Sequence, residues 1–342
     1  MLKSIAALAI MLTLVTSFKV SRVLRSSVRS PLLSTPHRTR LLATTEDKAE
    51  TGDILVTALN GAQDISIKVV SCRELIQETI LKLDLTPQAA KALGELVAST
   101  LMMGSGLKGE ETLQVNLVGN AGVGNLMAIT DGNLRVRSMV GRPRFSNGQG
   151  EDIRTRDLLG EGQVQVVRNH PAWKNPTNGI VLLRDIQIPL NLAFYMAESE
   201  QRSAVMFTDV KVEGGLCRYA LGVMVERLPG ATEENIDASI ANLEVVEKKG
   251  LRTYLDRTEE ERRQDTGMFR DFTPALDKII DECLGKMGED SIRWSKSPEY
   301  RCTCGPEKVW RTLRLLPLDD VRDIVKTEGD VEVRTSCTYC VC

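Results

Sequence analysis

The sequence predicts an α+β protein: an N-terminal core domain of helices and antiparallel sheet, then a helical linker, then a small cysteine-bearing module. Three observations support this prediction. Two helical apolar patterns precede a series of alternating apolar and polar stretches, a densely charged segment follows them, and five of the eight cysteines lie between positions 302 and 342. We place the core domain at residues 53–230, the linker at 231–294 and the module at 295–342.

Residues 1–45 have the composition of a targeting presequence. They hold seven Lys and Arg residues and no acidic residue. Residues 1–17 resemble a signal sequence whose apolar run is too short to span a bilayer, and residues 18–45 resemble a transit peptide. The tandem, with Phe18 at the junction, resembles the two-part plastid presequences of algae with secondary plastids. We therefore expect the plastid stroma, with the mitochondrion, secretion or a disordered extension as alternatives.

The net charge of the chain changes sharply when the presequence is set aside. The whole chain carries 44 basic and 46 acidic residues, so removing the seven basic ones leaves 37 against 46, a net charge of −9. A chain this acidic has no general attraction for nucleic acid or anionic lipid. We expect neither a nucleic acid nor a membrane among its partners.

The core domain opens with two predicted helices. Ser71 and Glu74 have the spacing of a capping box and precede an apolar helical pattern. Thr86-Pro87 marks the start of a second helix, which Gly104 and Gly106 end. The apolar faces of both helices are interpreted as core.

A period-two pattern then predicts a series of strands. Asp131-Gly132 is a hairpin signal between two of them. Helices followed by hairpin-linked strands favour an α+β domain with a largely antiparallel sheet. The predicted strands cover residues 113–117, 126–130, 134–138, 164–167, 180–188, 205–212 and 217–226.

The core domain offers little for catalysis. His170 is the only histidine outside the presequence, which argues against histidine-based acid–base chemistry. The glycines between Gly119 and Gly124 suggest a phosphate loop, but such a loop opens a helix, whereas a strand pattern follows here. Turn glycines between strands are the better interpretation, and we do not expect an enzyme.

The linker is predicted to fold only against another surface. Ile236, Ile240 and Leu243 mark one amphipathic helix, and a second begins at Thr273-Pro274. Between them, ten of the sixteen residues at 256–271 are charged and cannot bury apolar area. Short amphipathic helices need a surface to lie on. The segment is either a solvated helical linker or a conditionally folded switch.

The C-terminal module carries two close cysteine pairs. Cys302 and Cys304 are separated from Cys337 and Cys340 by thirty-two residues. This pattern is typical of a tetrahedral Zn²⁺ site with four thiolates, which is structural because it has no open position. Cys342 forms a second close pair with Cys340 and is an alternative ligand. A permanent pair of disulfides and a set of unrelated cysteines are the other interpretations.

A metal would decide whether this module folds. A module this small rarely folds on its apolar core alone, and zinc supplies about 10–16 kcal/mol in such modules. Oxidation of the thiolates expels zinc. The linker would then lose its docking surface and expose apolar helix faces beside dense charge. Exposed surface of this kind can hold unfolded chains in solution. The residues thus permit a redox-controlled holding chaperone.

The spacing of the four cysteines resembles the redox-regulated thirty-three-kilodalton heat-shock chaperone family. Residues 193–201, which end in Ser-Glu-Gln, resemble a signature of that family, as do 93–109, the Gly214-Gly215 pair and 223–230. The resemblance covers roughly residues 53–342.

The resemblance implies a complete mode of action. The reduced, zinc-bound form would be inactive. Oxidation would form the disulfides Cys302–Cys304 and Cys337–Cys340, release zinc and unfold linker and module. The product would be an ATP-independent holdase for unfolded client proteins, commonly a homodimer.

The chain also departs from the family pattern. It ends two residues after Cys340, so the module is apparently truncated, and the linker has an extra charged segment near 251–272. A second hypothesis is a structural zinc module that binds RNA or ribosomes through its basic residues, and a third is a zinc enzyme. The basic residues are Lys308, Arg311, Arg314 and Arg322. The remaining cysteines are interpreted as small buried hydrophobic residues: Cys72, Cys217 and Cys283.

Overall fold

The computed structural model describes residues 52–148, 154–255 and 273–302, together with single positions between 307 and 326. Residues 52–302 fall within one compact unit, and the fold below is that of this unit. The predicted presequence and the predicted elements of the cysteine module lie outside the described segments. No helix in the described segments is long and apolar enough to cross a bilayer.

The first sheet has five strands in the order β10-β1-β2-β9-β8, and all neighbours are antiparallel. The β8–β9 hairpin turns through Gly214 and Gly215, which both have positive φ, a conformation that glycine adopts without strain. The strands are β1 (Ile54–Leu59), β2 (Ile65–Ser71), β8 (Ala204–Glu213), β9 (Leu216–Arg227) and β10 (Ile292–Lys296).

The second sheet has six strands in the order β11-β5-β4-β3-β6-β7. Its neighbours are antiparallel except for β11, which pairs with β5 in parallel. The strands are β3 (Thr112–Gly119), β4 (Leu126–Asp131), β5 (Arg135–Val140), β6 (Gly162–Asn169), β7 (Thr177–Leu182) and β11 (Glu299–Tyr300).

Six α-helices complete the described fold: α1 (Arg73–Leu83), α2 (Pro87–Gly104), α3 (Thr155–Leu159), α4 (Ile188–Ser199), α5 (Glu233–Lys249) and α6 (Thr273–Leu284). Short 3₁₀ turns follow at Leu251–Leu255 and Gly285–Gly288. Helix α2 contacts strands of both sheets and is buried along most of its length. At Gly104 a Cβ atom would lie 2.4 Å from Cγ2 of Thr130, so only glycine permits this close approach.

Most of the predicted core elements are confirmed. Helix α2 begins after Thr86, and the predicted strands overlap β3 to β9. The glycines between Gly119 and Gly124 belong to the β3–β4 connection and open no helix. The predicted strand at 180–188 is wrong in its second half. It ends at Leu182, and Pro189 in the first turn begins helix α4.

The capping box predicted for α1 is also wrong. The residue before α1 is Cys72, and no neighbouring side chain caps the helix. Asp53 performs this role from a distant position in the chain. Its carboxylate accepts hydrogen bonds from the amides of Glu74 (3.0 Å) and Leu75 (2.7 Å). The predicted position of the helix start is therefore correct, but Asp53 caps the helix in place of Ser71.

The cysteines predicted to behave as buried hydrophobic residues are fully buried: Cys72, Cys217 and Cys283. Burial raises the pKa of the Cys217 and Cys283 thiols to about 12 each, and that of Cys72 rises well above its ordinary value. Thiols with such pKa values hold little thiolate and react slowly. These side chains serve packing.

Candidate functional site

The five-stranded sheet is apolar on both of its faces. Every residue of β2 is buried, and its apolar residues are divided between two separate hydrophobic clusters. Val70 packs in the cluster that contains α1 and α2, whereas Ile67 and Val69 pack on the opposite face. A sheet of this kind needs a cover on each side.

We call the second of these faces the linker face. It is formed by alternate residues of three adjacent strands, all of them buried. Its members are Val56, Ala58, Ile65, Ile67, Val69, Leu221, Val223 and Val225. Left uncovered, a contiguous patch of this size on a soluble protein would be a binding or aggregation surface.

The two linker helices and the turn between them supply the cover. Helix α6 presents a stripe at the i, i+3, i+4, i+7, i+8 spacing of an amphipathic helix, and each member is completely buried. Helix α5 and the 3₁₀ turn after it contribute Leu243, Val246 and Leu251. The stripe of α6 consists of Leu276, Ile279, Ile280, Cys283 and Leu284. The surface that the linker needs is therefore a sheet face of its own chain.

One polar contact ties the start of the linker to the sheet. Thr232 caps α5 by accepting a hydrogen bond from the Asn235 amide at 3.2 Å. The Asn235 side-chain amide donates to both carboxylate oxygens of Asp64, at 3.2 and 2.9 Å, and Asn60 donates to the same carboxylate at 2.6 Å. Partial burial pushes the pKa of Asp64 upward, but these hydrogen bonds outweigh it and leave the pKa below its usual range.

Further polar contacts join the linker elements to one another. Asn242 of α5 donates to the Cys283 carbonyl at 3.1 Å, and the Tyr254 hydroxyl donates to Glu282 of α6 at 2.6 Å. Arg293 of β10 pairs with Asp277 at 3.2 Å and with Asp281. These ion pairs are partly exposed, and such pairs contribute about 1 kcal/mol or less. The apolar contacts on the linker face are therefore the main source of docking stability.

The chain leaves the linker through two strands that touch both sheets. Strand β10 pairs with β1, and β11 pairs with β5. At the end of β10, the Lys296 ammonium donates to the carbonyls of Ser105 (3.3 Å) and Gly132 (3.1 Å). Two residues beyond β11 comes Cys302, so the first predicted zinc ligand follows directly on the segment that attaches the linker to the body.

Of the predicted zinc ligands, Cys302 alone lies within the described residues. Cys302 is half-buried at the end of the last continuous described segment. Cys304, Cys337 and Cys340 lie outside the described residues, as does the alternative ligand Cys342. Among the residues that the structure does describe, no group of three or more His, Cys, Asp or Glu side chains is arranged to hold a metal. The zinc site and its disulfides stay predictions.

The Ser-Glu-Gln segment has a structural role that sequence reasoning missed. Glu200 accepts from Arg168 of β6 and from Arg202, each at 3.0 Å. Arg202 also pairs with Glu226 of β9 at 2.6 Å, and Lys68 of β2 pairs with Glu226 at 3.1 Å. Burial raises the pKa of Glu226, but Lys68 and Arg202 outweigh this effect and hold it below its usual range. This chain of charges joins the two sheets.

Comparison with known proteins places the chain among chaperones. It is 26% identical over 300 residues to the 33 kDa chaperonin of Staphylococcus haemolyticus, covering 85% of this chain and 93% of that one. It is 26% identical to the 33 kDa chaperonin of Thermus thermophilus, covering 84% and 82%. The crystal structure of the 33 kDa chaperonin from Thermotoga maritima shares the fold, with a TM-score of 0.67, 19% identity and coverage of 85% and 93%.

The family follows from these comparisons. A model described as "Hsp33 protein" matches residues 53–341, and the chain belongs to the Hsp33 family. This is a family of chaperones and not of enzymes, and its clients are unfolded proteins. The predicted family and the α+β class of the body are confirmed.

Proposed function

We propose that this chain is a redox-regulated, ATP-independent holdase chaperone. In the reduced state, Zn²⁺ holds the C-terminal module together and the linker helices cover the linker face. Oxidation and unfolding stress release them, and the uncovered apolar surfaces bind unfolded client proteins and prevent their aggregation. One observation carries this proposal: an amphipathic linker buries the linker face and leads through β10 and β11 directly to Cys302.

The donor chemistry of the proposed zinc site fits this metal. Cys302, Cys304, Cys337 and Cys340 would provide four thiolates, the ligand set of a closed structural zinc site. Bound zinc would supply folding free energy to the module. Each cysteine pair can give two electrons to a peroxide, which is reduced to water while the pair becomes a disulfide. The proposed pairs are Cys302–Cys304 and Cys337–Cys340, and a disulfide is no longer a thiolate ligand.

Two parts of the proposal concern the cellular setting. We propose that the active form is a homodimer, as the resemblance to the family implies. We also propose that residues 1–45 direct the chain to the plastid stroma. Expression of these residues fused to a fluorescent protein tests the destination, and fluorescence in mitochondria would favour the alternative.

The redox mechanism is tested by titrating the reduced, zinc-loaded protein with peroxide at mild heat. Zinc release per chain is followed with a chromogenic chelator, and light scattering from a denatured client enzyme is followed in parallel. We expect release of about one zinc per chain and suppression of scattering over the same range of peroxide. If peroxide changes neither signal, the redox-regulated holdase is wrong.

Two cysteine variants provide the controls for this titration. The double variant Cys302→Ser/Cys304→Ser is expected to bind no stoichiometric zinc and to lose redox control. Cys342→Ser removes a thiol of the same tail and should leave zinc binding and activation unchanged. Loss of zinc in the Cys342 variant would instead assign Cys342 to the metal site.

A further inference from the structure

Strand β7 forms an open end of the six-stranded sheet. It pairs with β6 and with no other strand in the described segments. The Leu183 amide donates a hydrogen bond to the Gly162 carbonyl at 3.0 Å, which identifies the residues of β7 whose backbone groups face β6. Because backbone groups alternate in an antiparallel pair, the amides and carbonyls of Asn178, Ile180 and Leu182 point away from β6. No partner for them lies in the part of the chain that the structure describes.

The side chains of β7 make this edge apolar. Ile180 is 52% exposed and Leu182 is 79% exposed, while Val181 between them packs against the core from the opposite face. The strand, Thr-Asn-Gly-Ile-Val-Leu, contains no charged residue and no proline. Unpaired backbone groups therefore lie beside exposed aliphatic side chains, at the two-residue repeat of an extended chain.

The other sheet ends carry features that block strand addition. The β8–β9 ladder shifts register between Lys211 and Val212, where β9 carries the extra residue Arg218, and the second half of β8 contains three charged residues, Asp209, Lys211 and Glu213. Strand β10 contains Arg293 and Lys296, and β11 has only two residues. Bulges, charges and short length are the devices by which proteins protect edge strands. β7 lacks all three, so it is the open strand edge of the described fold.

We propose that the β7 edge binds an extended, uncharged segment of an unfolded protein as an added β-strand. The bound segment would pair its backbone with Asn178, Ile180 and Leu182 and pack apolar side chains beside those of Ile180 and Leu182. This site is accessible while the linker face is still covered, so it would make a first contact with clients before activation. The proposal rests on the chaperone function of the family but not on redox control.

The size of the edge favours a client segment over a second copy of the chain. Six residues of strand span about 20 Å. A stable protein–protein interface uses roughly 20–30 residues from each partner. An edge of this length is too small to hold a dimer by itself, but it matches one extended segment that binds and leaves quickly.

The test uses the full-length reduced protein and a short fluorescent peptide of alternating Val and Thr residues. Fluorescence anisotropy measures its affinity for the wild type, for Ile180→Lys and for Leu182→Lys. Both positions are exposed, so lysine is tolerated in the fold, and thermal unfolding verifies this. Leu81→Lys, on α1 and 73% exposed, is the matched control. We expect binding about tenfold weaker in both edge variants and unchanged in the control.

A second peptide, N-methylated at alternate amides, separates strand addition from simple apolar contact. It should bind about tenfold more weakly than the unmodified peptide, because it cannot complete the ladder. Equal binding by the edge variants and the wild type would overturn the proposal, as would equal binding of the two peptides. So would a wild-type dimer that Ile180→Lys converts to a monomer, measured by light scattering, since a second copy would then occupy the edge. Because every measurement is made under reducing conditions, failure here is independent of the zinc-release test.

Discussion

Truncation of Ile280 tests whether the linker face controls activity. Ile280 lies in the middle of the α6 stripe and is completely buried against the five-stranded sheet. Replacing a buried Ile with Ala removes apolar contacts and leaves a cavity, which together cost about 2–5 kcal/mol. Because the lost contacts are those between linker and sheet, the cost falls on docking. A value of about 3 kcal/mol lowers the ratio of docked to undocked linker roughly hundredfold.

Two measurements on the reduced Ile280→Ala variant check this expectation. Hydrogen exchange should become faster throughout α5 and α6, while α2 keeps its protection. Light scattering from a denatured client should show partial holdase activity without any oxidant. Ile76→Ala is the matched control, because Ile76 of α1 is equally buried but packs in the other cluster. That variant should lose global stability without gaining activity under reducing conditions.

The reasoning is refuted by either of two results. If exchange in Ile280→Ala rises equally in α2 and in the linker, the linker is not a separate unit that docks and undocks. If the linker alone exchanges faster but the reduced variant remains inactive, exposure of the linker face is insufficient to bind clients.

Two other predictions concern buried ionisable side chains. Lys68→Met leaves Glu226 buried with Arg202 as its remaining partner, so the free energy of unfolding in denaturant should fall by about 3 kcal/mol. The double variant Lys68→Met/Glu226→Met should recover most of this loss. A double variant as unstable as the single one would contradict this. Burial raises the pKa of Asp53 to about 7, so the folded state keeps a proton that the unfolded state releases above about pH 4. The free energy of unfolding should therefore fall as the pH rises from about 4 to 7 and then level off. Urea titrations at several pH values measure this dependence, and Asp53→Asn should flatten it. An unchanged slope in Asp53→Asn would assign the proton to another group.

Local patterns were sufficient where an element has one buried face and one exposed face. The alternation in β3 to β6 is of this kind. The start of α2 was evident for another reason, the Thr86-Pro87 signal, because the helix is buried along most of its length. Strand β1 was missed because both faces of its sheet are buried, so apolar residues occupy consecutive positions. Strand β2 alternates apolar and polar residues from Ile65 to Val69, and its polar residues are buried as well. Lys68 adds to the difficulty. A lysine in a short segment suggests solvent, and its partner Glu226 is 158 positions away.

The candidate site shows the same division. The amphipathic stripes of α5 and α6 were evident from their spacing, as was their need for a surface. The surface on which these helices lie is formed by pairing between strands that are distant in the sequence, and no local pattern encodes this pairing. Strands β10 and β11 are equally hidden, because Arg293 to Tyr300 show no clear alternation until they are seen beside β1 and β5.

The long-range cap on α1 sets a limit on how far the N-terminus can be trimmed. Asp53 satisfies two amides of a helix that begins twenty positions later, and Gly52 adds a weaker contact from its amide to Glu74 at 3.4 Å. A protease that cuts before Gly52 leaves this arrangement whole. A cut after Asp53 would leave the amides of Glu74 and Leu75 without their hydrogen-bond acceptor and would remove the residue that precedes the first strand. Any processing of the N-terminus therefore has a downstream boundary that the fold itself imposes.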